Sequence, residues 1–130
     1  MILYSHVKTK PHTNTRKRSY LWGLAAEYFC AAALIFKGYS ILSLRYRNYG
    51  GEIDIIARKG KTVIFAEVKA RTSQEAALYS VSPAKQQVIA RAASGFIATR
   101  KKYSQHDLRF DVMVITSPAK IHHIKDAWRL

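Results

Sequence analysis

Two hydrophobic periods divide the chain. Tyr20 to Phe36 is apolar almost throughout and closes at Gly38, which predicts a helix from about Tyr20 to Lys37 with Ser19 as its N-cap. Being apolar nearly all round, that helix is expected to lie against a core over most of its surface. From Ser40 the period shortens to two. Ile41, Leu42 and Leu44 leading into Arg45-Tyr46-Arg47 predict a first strand over 40–47, Glu52 to Arg58 a second, and Thr62 to Ala70 a third. Asn48-Tyr49-Gly50-Gly51 and Lys59-Gly60-Lys61 read as the turns between them. Arg71 to Val81 is irregular and reads as a loop.

Ser82-Pro83 marks the start of a second helix, hydroxyl as cap and proline at the first helical position. Val88, Ile89, Ala92, Ala93, Phe96 and Ile97 give it a half-buried stripe running to about Lys102. Arg109 to Thr116 predicts a fourth strand, and Lys120 to Ile124 a short last one. Short turns make the first three strands an antiparallel meander. The long helical connection makes strand four parallel to strand three. The expected fold is α/β, a mixed β-sheet of order α-β-β-β-α-β flanked by helices. Residues 19–130 form its single domain, preceded over 1–18 by a flexible basic arm interrupted by Pro11.

Charge sharpens this picture. Twenty-two Lys and Arg against eight Asp and Glu give a net charge of +14, which invites a polyanion. Nucleic acid is the expected partner, DNA ahead of RNA. A membrane is the competing polyanion, because Arg16-Lys17-Arg18 precedes the apolar stretch. That stretch is barely long enough to cross a bilayer, which takes about 20 residues. Glu27 near its middle would cost on the order of 3 kcal/mol there, so no membrane association is expected. Cys30, the lone cysteine, excludes an internal disulfide and suits a reducing, cytoplasmic setting as a small core residue.

With acids this scarce, their placement matters. Glu27, Glu52, Asp54, Glu67 and Asp111 all fall in or beside apolar elements, where a charge is rarely left without a partner. Alternation puts Glu52 and Asp54 on one face of the second strand, with Ile53 and Ile55 on the other. On the third, Glu67 and Lys69 share a face with Val63 and Phe65. A hairpin around Gly60 sets Asp54 opposite Glu67 at about 5 Å. Two carboxylates at ~5 Å repel by about 3 kcal/mol at an effective dielectric near 20. A shared proton, a cation or a hard divalent metal must offset that. The set suits phosphodiester cleavage. Asp54 and Glu67 would hold Mg²⁺ (or Mn²⁺), the Val68 carbonyl would be a further ligand, and Glu27 would join from the first helix. Lys69 would orient the attacking water or neutralise charge developing on phosphorus. The alternative is two exposed strands that carry Glu, Asp and Lys only for solubility.

Gly51-Glu-Ile-Asp-Ile-Ile-Ala57 and Phe65-Ala-Glu-Val-Lys-Ala-Arg71 resemble the signature of the YraN-like family of small uncharacterised bacterial proteins. Gly23-x-x-x-Glu27, Gly38-Tyr39, Lys85 and Arg109-Phe110-Asp111-Val112 extend the resemblance. That family is similar to archaeal Holliday-junction resolvases and to the PD-(D/E)xK nucleases. The resemblance implies a restriction endonuclease-like three-layer core with Glu27, Asp54, Glu67 and Lys69 at the catalytic positions. Glu52-Ile53 stands where that superfamily's name has its proline. Asp111 is expected to be structural, pairing with Arg109 or Arg71.

Arg45, Arg47 and Tyr49 lead into this site, Arg71 follows it and Lys85 lies on the second helix. Basic residues interleaved with aromatics suit phosphate contacts and stacking on unpaired bases. His122-His123 reads as a surface pair rather than a metal site, since adjacent strand residues point to opposite faces. The expected activity is a Mg²⁺-dependent endonuclease acting on branched or processed DNA, for which two-strand cutting would require a homodimer. The alternative is a nucleic-acid-binding protein that uses the same fold without cutting.

Overall fold

Val63 and Phe65 on one side of strand β3 (Thr62–Ala70), and Ile64 and Ala66 on the other, are all buried, so both faces of the sheet must be covered. The computed structural model describes residues 2–117 and 119–129, with the side chains of 2–16 and 19 outside the description. Strands β1 (Ser40–Asn48), β2 (Gly51–Lys59), β3, β4 (Asp107–Ser117) and β5 (Lys120–Trp128) lie side by side in chain order. β1, β2 and β3 form the expected antiparallel meander, β4 runs parallel to β3, and β5 returns antiparallel.

Helix α1 (Ile2–Phe36) covers one face of the sheet, and α3 (Pro83–Thr99) covers the other after the short α2 (Gln74–Tyr79). On the α3 side, Ile56, Val63, Phe65, Val112 and Val114 pack with Ile89, Ala92, Ala93 and Phe96. On the α1 side, Ile55, Ala57, Ile64, Ala66, Met113 and Ile115 meet Ala26, Cys30, Ala31 and Leu34. This is a three-layer α/β core around a mixed sheet. Phe96 ties the α3 side together, edge-on to Phe65 at 6.2 Å and to Tyr46 at 5.2 Å. Truncating such a ring typically costs about 3–5 kcal/mol.

Turn chemistry sets the element ends. Gly38, at φ 93°, closes α1, with the Gly38 N–H donating to the Ile35 carbonyl and Tyr39 N–H to that of Leu34. The Asn48 side chain accepts from the Gly50 and Gly51 N–H groups and donates to the Ala92 carbonyl, docking the β1–β2 hairpin on α3. A Cβ on Gly51 would meet Val88 Cγ1 at 2.4 Å, so this approach needs glycine.

Several expectations are corrected. α1 does not start at Ser19 but is continuous from Ile2, since the basic segment ahead of Ser19 carries no strong breaker besides Pro11 and helix propagation is favourable once begun. The side chains of the expected arm lie outside the described residues up to 16. α1 does not bury most of its surface either. A helix resting on a flat sheet buries one stripe, and Tyr20, Leu21, Tyr28, Phe29, Ile35 and Phe36 stay exposed. The loop expected over 71–81 contains α2, whose N-cap Ser73 accepts from the Ala76 N–H. α3 ends at Thr99, and Lys101–Tyr103 is a separate 3₁₀ turn. β5 continues to Trp128 because Trp128 stacks on Phe110 of β4 at 5.3 Å.

Candidate active site

The β2–β3 ladder runs from Lys59↔Thr62 to Ile55↔Ala66 and stops. At the next residue a side chain takes over from the backbone: Asp54 Oδ2 accepts the Val68 N–H at 2.8 Å. Alternation breaks here as well. Ile53 belongs to the α3-side core and Ile55 to the α1-side core, so the two do not share a face as strict alternation predicts. Beside the break, Arg45 lies between the pairs Leu44↔Ile55 and Tyr46↔Ile53 with φ 53°. That left-handed conformation costs an L-residue on the order of 1–2 kcal/mol.

Asp54 stands at the centre of three acids. Glu67, on β3, is only 6% exposed. Burial, then the hydrogen bond and charge of Asp54, push its carboxyl up to about 8, while Lys85 and Lys69 pull the other way. Glu27 reaches in from α1 and is also raised, by burial first and then by the Asp54 charge, with Arg45 opposing. The Asp54 charge acts on both glutamates. A like charge close by disfavours the ionised form of each glutamate, as expected where negative charge is gathered.

Cations ring the acids at longer range. Lys69 Nζ is 4.0 Å from Glu67 Oε1, and Arg45 Nε lies 3.7 Å from both Glu27 Oε2 and Glu52 Oε1. Glu27, Asp54, Glu67, Lys69 and Arg71 line one cavity of about 440 Å³, which Trp22, Gly23 and Ala26 close on the α1 side. Among the described residues, no three His, Cys, Asp or Glu side chains are gathered tightly enough to enclose an ion. The acids meet in pairs around Asp54. Carboxylate oxygens, with no His or Cys beside them in the cavity wall among the described residues, are the donor type that suits a hard divalent cation such as Mg²⁺.

The other sequence candidates divide. Arg71 stands in the cavity wall, its guanidinium donating to the Ala70 carbonyl. Arg45 lies just outside, paired with Glu27. Arg47 is bound to Glu52 at 3.0 Å, and Tyr49 projects from the hairpin 97% exposed; neither lines the cavity. Lys85 is not in the wall, though its charge reaches Glu67. Sequence reasoning missed Trp22 and Ala26. The signal was there, because Trp22, Gly23, Ala26 and Glu27 fall at i, i+1, i+4 and i+5, one face of a helix.

Asp111 belongs elsewhere. It is fully buried and accepts two bonds from Arg109 (2.8 and 2.7 Å) and one from the Asp126 N–H. The fourth comes from His123, whose Nε2 lies 2.6 Å away. Arg109 also donates to the Tyr39 hydroxyl. Lys37 Nζ lies 3.3 Å from His123 Nδ1, and an ammonium only donates, so Nδ1 accepts and Nε2–H points at Asp111. The expected Arg109 partner is present. The expected surface His pair is not, for the His123 side chain is buried because it faces Asp111. A cavity of about 480 Å³ nearby, lined by Arg109, Asp126, Trp128 and Arg129, holds Asp126 already bound to Arg129 at 2.6 Å. Among the described residues no helix is long and apolar enough to cross a membrane.

Residues 26–115, which hold the acids Asp54, Glu67 and Asp111 and begin one residue before Glu27, match the model of the uncharacterised protein family UPF0102. A UPF0102 protein of Bradyrhizobium sp. is 43% identical over 116 residues, 89% of this chain and 85% of its own. One from Rhizobium etli is 40% identical, covering 89% and 95%, and one from Methylocella silvestris is 42% identical, covering 88% and 93%. The chain belongs to the UPF0102 family, the YraN-like family of bacterial proteins.

Proposed function

We propose that this protein is a Mg²⁺-dependent endonuclease, with Glu27, Asp54 and Glu67 holding the cation and Lys69 serving the reaction. The observation that carries the proposal is the convergence of three acids, in a chain with only eight and a net charge of +14, on one half-open cavity with two cations in its wall. Such a cluster is costly unless a cation completes it. Mg²⁺ bound there supplies charge neutralisation and Lewis acidity at the scissile phosphate.

The chain's own groups do the rest. Lys69, on the face of Glu67, stabilises charge developing on the phosphoryl oxygens and directs the incoming water. Arg71 and Arg45 hold the flanking phosphates, and the basic surface draws the polyanion in. Water attacks phosphorus as the P–O bond to the leaving sugar oxygen breaks. The water gives up a proton and the leaving oxygen gains one. The same fold binding nucleic acid without cutting is the second reading. It is favoured by the Val68 N–H, which already occupies one Asp54 oxygen.

The test is a cleavage screen over duplex, single-stranded and branched DNA and matching RNA with Mg²⁺ or Mn²⁺, comparing wild type with Asp54→Asn and Lys69→Ala. Metal-dependent cleavage lost in both variants with binding retained supports the proposal. Binding without cleavage on any substrate leaves the second reading in its place.

A further inference from the structure

We infer that Trp22 is a base-stacking residue and that the substrate presents an unpaired base beside the scissile phosphate. The inference rests on the nucleic-acid reading above and adds the substrate class. Trp22 is 38% exposed and stands in the wall of the cavity that holds the acids. Among the described residues, a Cβ added at Gly23 beside it would find nothing within 4 Å. One turn of α1 further on, Glu27 enters the acid cluster, so the indole is fixed on the same rigid helix as a proposed metal ligand. A second aromatic extends the platform outward: the Tyr20 ring is 60% exposed and carries the Arg45 guanidinium 5.8 Å from its centre.

Aromatic surface next to Lys69, Arg71 and Arg45 is the combination that binds single-stranded nucleic acid, rings taking base faces and cations taking phosphates. At about 440 Å³ the cavity falls in the range of sites that take small-molecule-sized groups. Within a continuous duplex every base face is covered by its neighbours, so an indole in this wall has a nucleic-acid partner only where a base has left the stack. Single strands, flaps and frayed ends present such bases.

The chain has two tryptophans, and Trp128 stacks on Phe110 at the second cavity, so the quenching assigned to Trp22 is the part lost in Trp22→Ala. The full-length protein is titrated in EDTA with a 12-nucleotide oligo(dT) and with a hairpin duplex, following fluorescence and, for variants, anisotropy of the labelled DNA. Oligo(dT) should quench the emission and the duplex should not. Trp22→Ala should lower the ratio of single-strand to duplex affinity about 5- to 150-fold, and Trp22→Phe should restore most of it. An unchanged ratio in Trp22→Ala, in a protein that melts as wild type does, overturns the inference. So does equal quenching by both DNAs, and so does quenching by neither. Metal-dependent cleavage is read separately, so the nuclease proposal can stand while this one fails.

Discussion

The carboxylate of Asp54, one residue beyond the last paired rung between β2 and β3, accepts the backbone N–H of Val68, two residues beyond it, at 2.8 Å. A side chain thus continues a sheet bond where the strands part, and the opening this leaves is the candidate site. Asp54 is also the residue that both Glu27 and Glu67 are charged against. Asp54→Asn keeps an oxygen for Val68 and removes the repulsion. The variant should therefore melt at or above the wild-type temperature in metal-free buffer, by up to about 4 °C for each kcal/mol relieved. Differential scanning calorimetry checks this, and a clear loss of stability would mean that the Asp54 charge is compensated already.

Glu67 gives the stability a pH slope. Its carboxyl is raised by burial and by Asp54 from 4.5 to about 8, so the folded state holds a proton that the unfolded chain has released. Its contribution is fully present below about pH 4.5 and is lost as pH rises towards 8. Glu67→Gln should flatten the urea-measured stability of the metal-free protein across that window and be the more stable form at pH 8. An unchanged slope in the variant would assign the proton to another group.

Asp111 should behave in the opposite sense. Burial pushes its carboxyl up, but the bonds from Arg109, His123 and the Asp126 N–H outweigh this and hold it below the ordinary value. The stability it contributes is present above about pH 3.8 and disappears as pH falls below that. Asp111→Ala strands Arg109 and His123 and should cost on the order of 3–5 kcal/mol. Urea unfolding at pH 7 measures it, and a cost under about 1 kcal/mol would show the network to be dispensable.

How much of this was legible beforehand depended on whether a residue's surroundings were local. Asp54, Glu67 and Lys69 could be placed together because strand alternation and a short hairpin fix their spacing. Gly38 and Ser82 were legible as a helix end and a helix cap for the same reason. The break in alternation between Ile53 and Ile55 was not. It depends on where two strands separate and on a left-handed Arg45, and no local period encodes either. The burial of His123 is not local either, because its partner lies 12 residues away on another strand, and Tyr39 joins the same network from 70 residues before Arg109. The place of Trp22 is not encoded locally, because an apolar helix hides which of its faces meets the sheet.

Cys30 offers a check on how closely α1 seats behind the acids. Burial first, and then the charges of Asp54 and Glu27, push the thiol up to about 12. At pH 8 only about one thiol in 10⁴ would be ionised. Ellman's reagent should leave the folded protein unlabelled for hours and label one thiol per chain in guanidinium. Prompt labelling in native buffer would show that α1 lifts from the sheet.

The most direct measurement is Mn²⁺ binding followed by electron paramagnetic resonance on wild type, Asp54→Asn and Glu67→Gln. The three acids predict one Mn²⁺ bound per chain by the wild type, displaced by Mg²⁺, with affinity lowered at least about tenfold in each variant, roughly one ligand's share. Wild-type protein that leaves Mn²⁺ free, or variants that bind it equally well, would contradict the account.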